Sequence, residues 1–372
     1  MAEARDIGGI SVPFAAGVAA GLLIFPSFGT ASPLIPSLLA ILTPSLALAA
    51  FLLFDNDSSQ RIIRLSFAGI FLLAGFFCAC NSCLSEGIPA GVGWLPMKAH
   101  GCAEALRTRI DSLPYPHGGT GALVKALLTG DRSGLDPQVL NTFRASGAAH
   151  ILALSGLHLG IIYLILLRLT APLGNSPRAR KARSFLIVSL SGFYCLMTGA
   201  SPSIVRAFLF ITINETAKLT GREKDPARVL LASLTIQLAI KPQVMSSLGF
   251  QLSYLAMCGI AFTYPWLARL YPQSGNRKWD GIDPVRKVWD MAVMSVSCQI
   301  FTAPLVWLRF HTFPKYFLLT NLLALPLTSA TVVLSVATVA LSSFGICPES
   351  LVILNDQTVR LLVSCLEIIS SM

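Results

Sequence analysis

Read from its N-terminus, the chain alternates long apolar runs with short polar connections. Eleven runs are candidates for spanning helices: 9–26, 33–54, 62–84, 148–170, 184–200, 203–219, 228–241, 248–268, 289–309, 317–345 and 350–370. A bilayer core takes about 20 apolar residues of α-helix. The run at 228–241 is short, and the run at 317–345 is long with Pro326 inside it, so either fits a tilted, broken or re-entrant element. Only helices and closed barrels satisfy the backbone in lipid, so the pattern predicts an all-α fold. The expected architecture is a polytopic transmembrane helix bundle of about ten or eleven spans with interfacial or re-entrant helices.

Between the third and fourth runs the pattern changes. Segment 85–120 holds Pro89, Pro96, Pro114, Pro116 and several glycines and reads as an irregular exported loop. Segment 121–147 reads as helical pieces around a turn at Thr129-Gly130-Asp131-Arg132-Ser133-Gly134, too short and too charged to span, lying at the interface or against the bundle. Three segments follow: N-terminal membrane helices at 1–84, an exported stretch with interfacial amphipathic helices at 85–147, and a polytopic core at 148–372.

Composition agrees with a membrane protein. Of 372 residues, 54% are hydrophobic and only 12% charged, against about 25% charged in soluble domains. Mean hydropathy is +0.68. These values exclude a soluble globular enzyme, a disordered chain and a disulfide-dense secreted module. The 28 Lys and Arg against 18 Asp and Glu give a net charge of +10, which in such a chain first reports loop orientation. Arg178, Arg180, Lys181 and Arg183 crowd one loop without an acid. Lys218, Arg222, Lys224 and Arg228 enrich a second loop, and Arg269, Arg277, Lys278, Arg286 and Lys287 a third. All three fall on one side of the expected bundle, which places the N-terminus in the cytoplasm and 85–147 outside. Glu3, Arg5 and Asp6 precede the first run, so it reads as a retained span, not a cleaved signal peptide.

Polar side chains inside the apolar runs carry the functional information, because lipid tolerates them only toward a protein interior or a wet cavity. The densest set is His150, Ser155 and His158. On one continuous helix these share a face opposite a close-packing stripe of Ala149, Ala153, Gly156 and Gly160. The turn Gly199-Ala200-Ser201-Pro202-Ser203 precedes Arg206, which either snorkels outward or faces an anionic ligand. Gln251, Gln299 and Asn321 add single amides on other runs. Two unlike functions fit: a channel or small-solute transporter, or an intramembrane serine hydrolase using Ser155 with His150 or His158. The serine and His158 share one helix, and no third residue orients the imidazole.

Three ordered motifs settle a resemblance. Leu127-Leu128-Thr129-Gly130-Asp131-Arg132-Ser133-Gly134-Leu135, then Phe143-Arg144-Ala145-Ser146-Gly147, then His150 to Gly160 closely resemble the signature of the ComEC-type competence family. Gly199 to Arg206, Ser247 to Ser253, Gln299 with Pro304, and Asn321 to Pro326 resemble its later motifs. The resemblance implies a bacterial inner-membrane channel component through which transforming DNA enters as a single strand. The implied partners are single-stranded DNA, an exported DNA receptor, a cytoplasmic DNA-translocating ATPase, a separate nuclease and membrane lipid. Full-length members commonly carry an oligonucleotide-binding-like domain and a metallo-β-lactamase-like domain. Only about forty residues separate Leu84 from Val124, too few for a five-stranded barrel, and only His311 follows His158. The chain is therefore expected to be the membrane core alone, with no catalytic residues, metal or cofactor.

Within that reading Arg144, His150, Ser155, His158, Arg206, Gln251 and Gln299 are the candidate polar lining of a DNA path. Gly130, Asp131, Arg132, Ser133, Gly156, Gly160, Ser201, Pro202 and Asn321 are motif residues with structural roles. A polyanion needs positive and hydrogen-bonding groups to cross hydrocarbon, but a sparse set, since many buried cations would trap it. Cys83 and Cys102 would face an oxidising compartment if 85–147 is exported, and are a candidate disulfide.

Overall fold

The computed structural model describes residues 2–24, 60–84, 94–174, 176–221, 225–271, 284–311 and 315–372. The expected span at 33–54 lies outside them. So do Arg222, Lys224, Arg277 and Lys278, on which part of the orientation argument rests. Every regular element among the described residues is helical: α1 (Ala2–Ile24), α2 (Gln60–Leu84), α3 (Trp94–Asp111), α4 (Thr120–Thr129), α5 (Pro137–Ala145), α6 (Ala149–Leu152), α7 (Gly156–Leu169), α8 (Pro177–Met197), α9 (Pro202–Thr220), α10 (Pro226–Ile240), α11 (Leu248–Phe262), α12 (Tyr264–Ala268), α13 (Pro284–Phe310), α14 (Phe317–Ser343) and α15 (Glu349–Ser370). Three starts follow one rule: a capping side chain, then proline. Asp136, Ser176 and Asp225 accept from Gln138, Ala179 and Ala227 amides, each followed by a proline whose missing N–H costs nothing there.

Three described segments are long and apolar enough to cross a membrane: Gly156–Leu173, Pro284–Phe310 and Phe317–Ser343. Shorter apolar helices cover Ile10–Leu23, Ala68–Cys83, Thr120–Thr129 and Pro226–Ile240. Segment 85–120, expected to be irregular, instead contains the 18-residue helix α3. Pro96 falls in its first turn, where proline is tolerated, so the prolines that suggested a loop are compatible with a helix start.

The chain divides into two compact units that interleave in sequence. The first comprises residues 1–90 and 212–254. Its tightest packing joins α1 and α2 through Gly17 and Gly21 on one helix and Gly75 and Ala79 on the other. A Cβ on Gly17 would strike the Leu72 carbonyl, and one on Gly75 the Phe14 carbonyl. Small residues four apart let two backbones touch. Gly75→Leu is expected to force the pair apart at a cost of about 3 kcal/mol or more. The loss would appear as faster proteolysis within α1 and α2. Hydroxyls join α10 to α1, with Thr235 donating to Ser11 at 2.9 Å and Ser11 to the Leu231 carbonyl at 3.3 Å. Tyr254 donates to Gln237 at 3.1 Å within the same unit.

The second unit comprises residues 91–211 and 255–372. Its core gathers Leu123, Val124, Ala126, Leu127 and Leu128 of α4 with Phe143, Ile151, Leu152 and Ile161, and with Val332, Val359, Leu362 and Leu366 of α14 and α15. Helix α4 is thus packed inside this unit. Helix α14 packs against α15 and buries Thr320, Ala324, Thr328, Thr331, Ser335, Thr338 and Ser342, spaced three and four apart; Ser335 donates to Asn355 of α15 at 3.2 Å. Thr331 and Thr338 return their hydroxyls to the carbonyls four residues back, which satisfies those two buried donors, while the buried Thr328 hydroxyl has no partner.

Helix α15, expected as a plain span, buries Asn355 and Asp356. Both are satisfied by the segment before α4. Asn355 donates to the Tyr115 hydroxyl at 3.0 Å. Asp356 takes His117 Nδ1 at 2.6 Å and the Thr120 hydroxyl at 2.5 Å. Burial pushes the Tyr115 phenol up to about 12, partly offset by Asn355, so it stays neutral across the physiological range.

Candidate functional site

The turn after α4 is built by its own side chains. Gly130 closes α4 in the left-handed region with φ 77°, a conformation that favours glycine, and Leu154 packs where its Cβ would be. Asp131 then accepts from the Ser133 hydroxyl at 2.7 Å and amide at 3.1 Å, and lies 3.4 Å from Arg107 of α3. The Ser133 donors, helped by Arg107 and Lys125, hold the Asp131 carboxyl below its ordinary value of 3.8. A depressed folded-state value means the group stabilises the fold above pH ~4, and that contribution is lost as pH falls through the folded value. Asp131→Ala is therefore expected to lower the unfolding midpoint at pH 7 and to leave the variant less sensitive to acid than the parent chain between pH 5 and 3. Parallel thermal melts across that range measure both.

The turn is tied to the residues that follow it. Arg132 Nε donates to the Leu152 carbonyl at 3.1 Å, and Tyr194 of α8 donates to the Leu128 carbonyl at 2.8 Å. Leu152 is where the structure departs from expectation. The run 148–170 is not one helix. It breaks after α6: Ala153 and Ser155 are extended, with ψ of 122° and 172°, and α7 restarts at Gly156. The stripe of Ala149, Ala153, Gly156 and Gly160 therefore does not form on one helix, and a Cβ at Gly160 would meet nothing within 4 Å.

The restart gives Ser155 and His158 a shared local role. The Ser155 hydroxyl accepts from the Leu157 amide at 3.2 Å, while the His158 ring Nδ1 accepts from the Ser155 amide at 3.3 Å. This is a reciprocal capping box with histidine in the place usually held by Glu or Gln. Such a cap is worth about 1 kcal/mol. His158 is 1% exposed, and its Nε2 has no hydrogen-bond partner. His150, on α6, is exposed instead and bonds the Gly147 carbonyl at 3.1 Å, so it does not share a face with His158.

Gly156 brings in the next motif. A Cβ there would lie 3.3 Å from Arg206 Nη2 and 3.4 Å from Ala207 Cβ, so the start of α7 lies directly against α9. Arg206 follows a strained entry. Gly199 and Ala200 have φ of 79° and 48°, and a left-handed alanine costs about 1–2 kcal/mol. The Ala200 amide reaches back to the Cys195 carbonyl at 2.9 Å, and the Ser201 hydroxyl is buried without a partner. On α13 the Ser297 hydroxyl is likewise buried without a partner. Tyr194, Leu159, Ile187, Cys195, Ile204 and Ile211 seal α7, α8 and α9 together.

The structure thus gathers Arg132, Ser155, Gly156, His158 and Arg206 around one helix start. It does not gather the rest. Arg144 is exposed in the last turn of α5. Gln251 belongs to the other unit and donates to the Met245 carbonyl at 2.9 Å. Gln299 is half-buried on α13. Asn321, on α14, has a buried Oδ1 without a partner. Cys83 is half-buried near the end of α2, while Cys102 is exposed on α3 in the other unit. No disulfide is formed among the described residues. Sequence reasoning missed Arg107, Tyr194 and the pairing of His117 with Asp356. For the last there was a signal, an adjacent Asn-Asp inside an otherwise apolar run. Among the described residues no group of three metal-ligating side chains assembles.

The family model described as "Competence protein" matches residues 127–372, well over half of the chain. ComE operon protein 3 of Bacillus subtilis is 27% identical over 211 residues, covering 57% of this chain and 25% of its own length. The uncharacterized protein YcaI of Escherichia coli is 25% identical over 265 residues, covering 67% of this chain and 33% of its own. Competence protein ComA of Neisseria gonorrhoeae is 30% identical over 181 residues, covering 47% and 25%. The chain thus spans about a quarter to a third of the length of these curated relatives. No solved structure matches it significantly.

Proposed function

The chain belongs to the Competence protein family, and from that premise we propose that it is a bacterial inner-membrane component of the path by which single-stranded transforming DNA enters the cell. The observation that carries this reading is the placement of Arg206 against the start of α7, beside the Ser155–His158 capping box. A DNA strand carries one negative charge per nucleotide and needs a few fixed donors to leave water. A single guanidinium supplies attraction without the depth of a trap that several buried cations would make. Arg132 acts through the backbone: by holding the Leu152 carbonyl it keeps the helix broken where α7 must begin.

The partners that fit are an exported DNA receptor, a cytoplasmic DNA-pulling ATPase and a nuclease. Arg144, His150 and Gln299 belong to the same proposal as more distant lining groups. The direct test is uptake of fluorescently labelled DNA in a competent host lacking its own copy and supplied with the full chain. Uptake restored by the chain supports the path, and continued failure with correctly inserted protein overturns it.

One observation favours a second reading. The Ser155 hydroxyl lies 3.2 Å from His158 Nδ1, the reach of a nucleophile and its base. That same nitrogen already accepts the Ser155 amide, and the far ring nitrogen meets no carboxylate. Nothing therefore orients the ring or stabilises it once charged. A serine-directed fluorophosphonate is expected to leave the chain unlabelled. Labelling lost in Ser155→Ala would establish the hydrolase instead.

A further inference from the structure

Away from the Arg206 site, an open groove of about 590 Å³ runs between the α4 entry, the Ser133–Val139 segment and one face of α15. We propose that this groove binds a small zwitterion with an apolar body, one that carries an ammonium and an acidic group together. The argument starts from the charges on its walls. Arg360 is a cation; Asp136 and Glu367 are carboxylates. Arg360 and Glu367 are exposed and form no ion pair among the described residues. They lie seven residues apart on the same face of α15, about 10 Å along the axis, with Ser364 between them. A wall with opposite charges at two points along one face complements a ligand of both signs. It opposes a polyanion, because its carboxylates outnumber its guanidinium. DNA therefore does not belong here, and the groove is separate from the proposed path.

The imidazole sharpens this. His117 is half-exposed at the groove, and its Nδ1 is held 2.6 Å from buried Asp356. An ionised carboxylate only accepts, so Nδ1 carries the hydrogen, and in the neutral ring Nε2 is an acceptor. Asp356 is also fixed by the Thr120 hydroxyl, so the ring is oriented from behind while its other nitrogen is left for solvent or a ligand. Leu123, Leu135, Val139, Val359 and Val363 form an apolar floor, suited to methylenes or a branched side chain. A volume in the range of small-molecule sites holds a group of that size. Two sources share this chemistry, the headgroup of an aminophospholipid and a free apolar amino acid.

The test uses the full purified chain in detergent and follows its thermal unfolding midpoint. The probes are glycerophosphoethanolamine, L-leucine, glycerol 3-phosphate, putrescine and an oligothymidylate. A ligand that binds only the folded state raises the midpoint, by an amount that grows with the logarithm of its concentration over its Kd. The expected result is a rise with one or both zwitterions, with affinity at least tenfold weaker in Arg360→Gln and in Glu367→Gln. Both replaced side chains are exposed, so the variants keep the fold. Preference for glycerophosphoethanolamine identifies the lipid headgroup, and preference for leucine the amino acid. The proposal is overturned if neither zwitterion shifts the midpoint, if both variants respond as the parent does, or if an anion or cation alone binds equally well. None of these outcomes depends on DNA uptake, so the two proposals fail separately.

Discussion

Arg206→Ala is expected to lower uptake of labelled DNA by roughly 10- to 100-fold while the protein remains inserted, the scale on which about 1.4–2.8 kcal/mol of lost attraction reads out. Two features of the site set this expectation. Arg206 lies where α7 and α9 touch, its guanidinium 3.3 Å from where a Gly156 Cβ would sit. It sits beside the helix start that Ser155 and His158 cap. Arg206→Lys separates charge from shape. A lysine keeps the charge but loses the planar fork, so partial uptake is expected. Full activity in the alanine variant would remove Arg206 from the path.

Asp356→Ala is expected to destabilise the second unit by about 2–4 kcal/mol. Removing the carboxylate leaves the Thr120 hydroxyl buried with no acceptor and frees the His117 ring. Stranding buried partners costs more than the bond itself contributed. Because His117 is half-exposed, its share of that loss is small. Asp356→Asn keeps an acceptor for Thr120 and is expected to recover roughly half. Urea unfolding followed by far-ultraviolet circular dichroism measures both variants. An unchanged midpoint in Asp356→Ala would mean the pair does not secure α15 to the α4 entry.

Much of this protein was legible from composition and pattern. Apolar runs of about 20 residues in a chain with 12% charge admit only helices in a membrane setting. Long α13 and α14, and α1 and α2, fall where those runs predicted. The turn at Gly130 was legible for a similar reason, since a glycine followed by Asp and Ser carries its own hydrogen bonds within four residues. The ordered motifs, a property of sequence alone, identify the family.

What the sequence could not decide was where one apolar run becomes two helices and which polar groups meet. Apolar periodicity is the same on either side of Ala153. The break there is fixed by the Arg132 bond to the Leu152 carbonyl and by the Ser155–His158 cap, one a contact twenty residues distant and the other available only after the helix has ended. The burial of Asp356 was likewise hidden, because its partners sit some 240 residues earlier in the chain. Local sequence determines the elements, since helix formation and lipid solubility depend on residues within a few turns. The tertiary structure alone decides the sites, because a buried donor is tolerated only where distant chain supplies its acceptor.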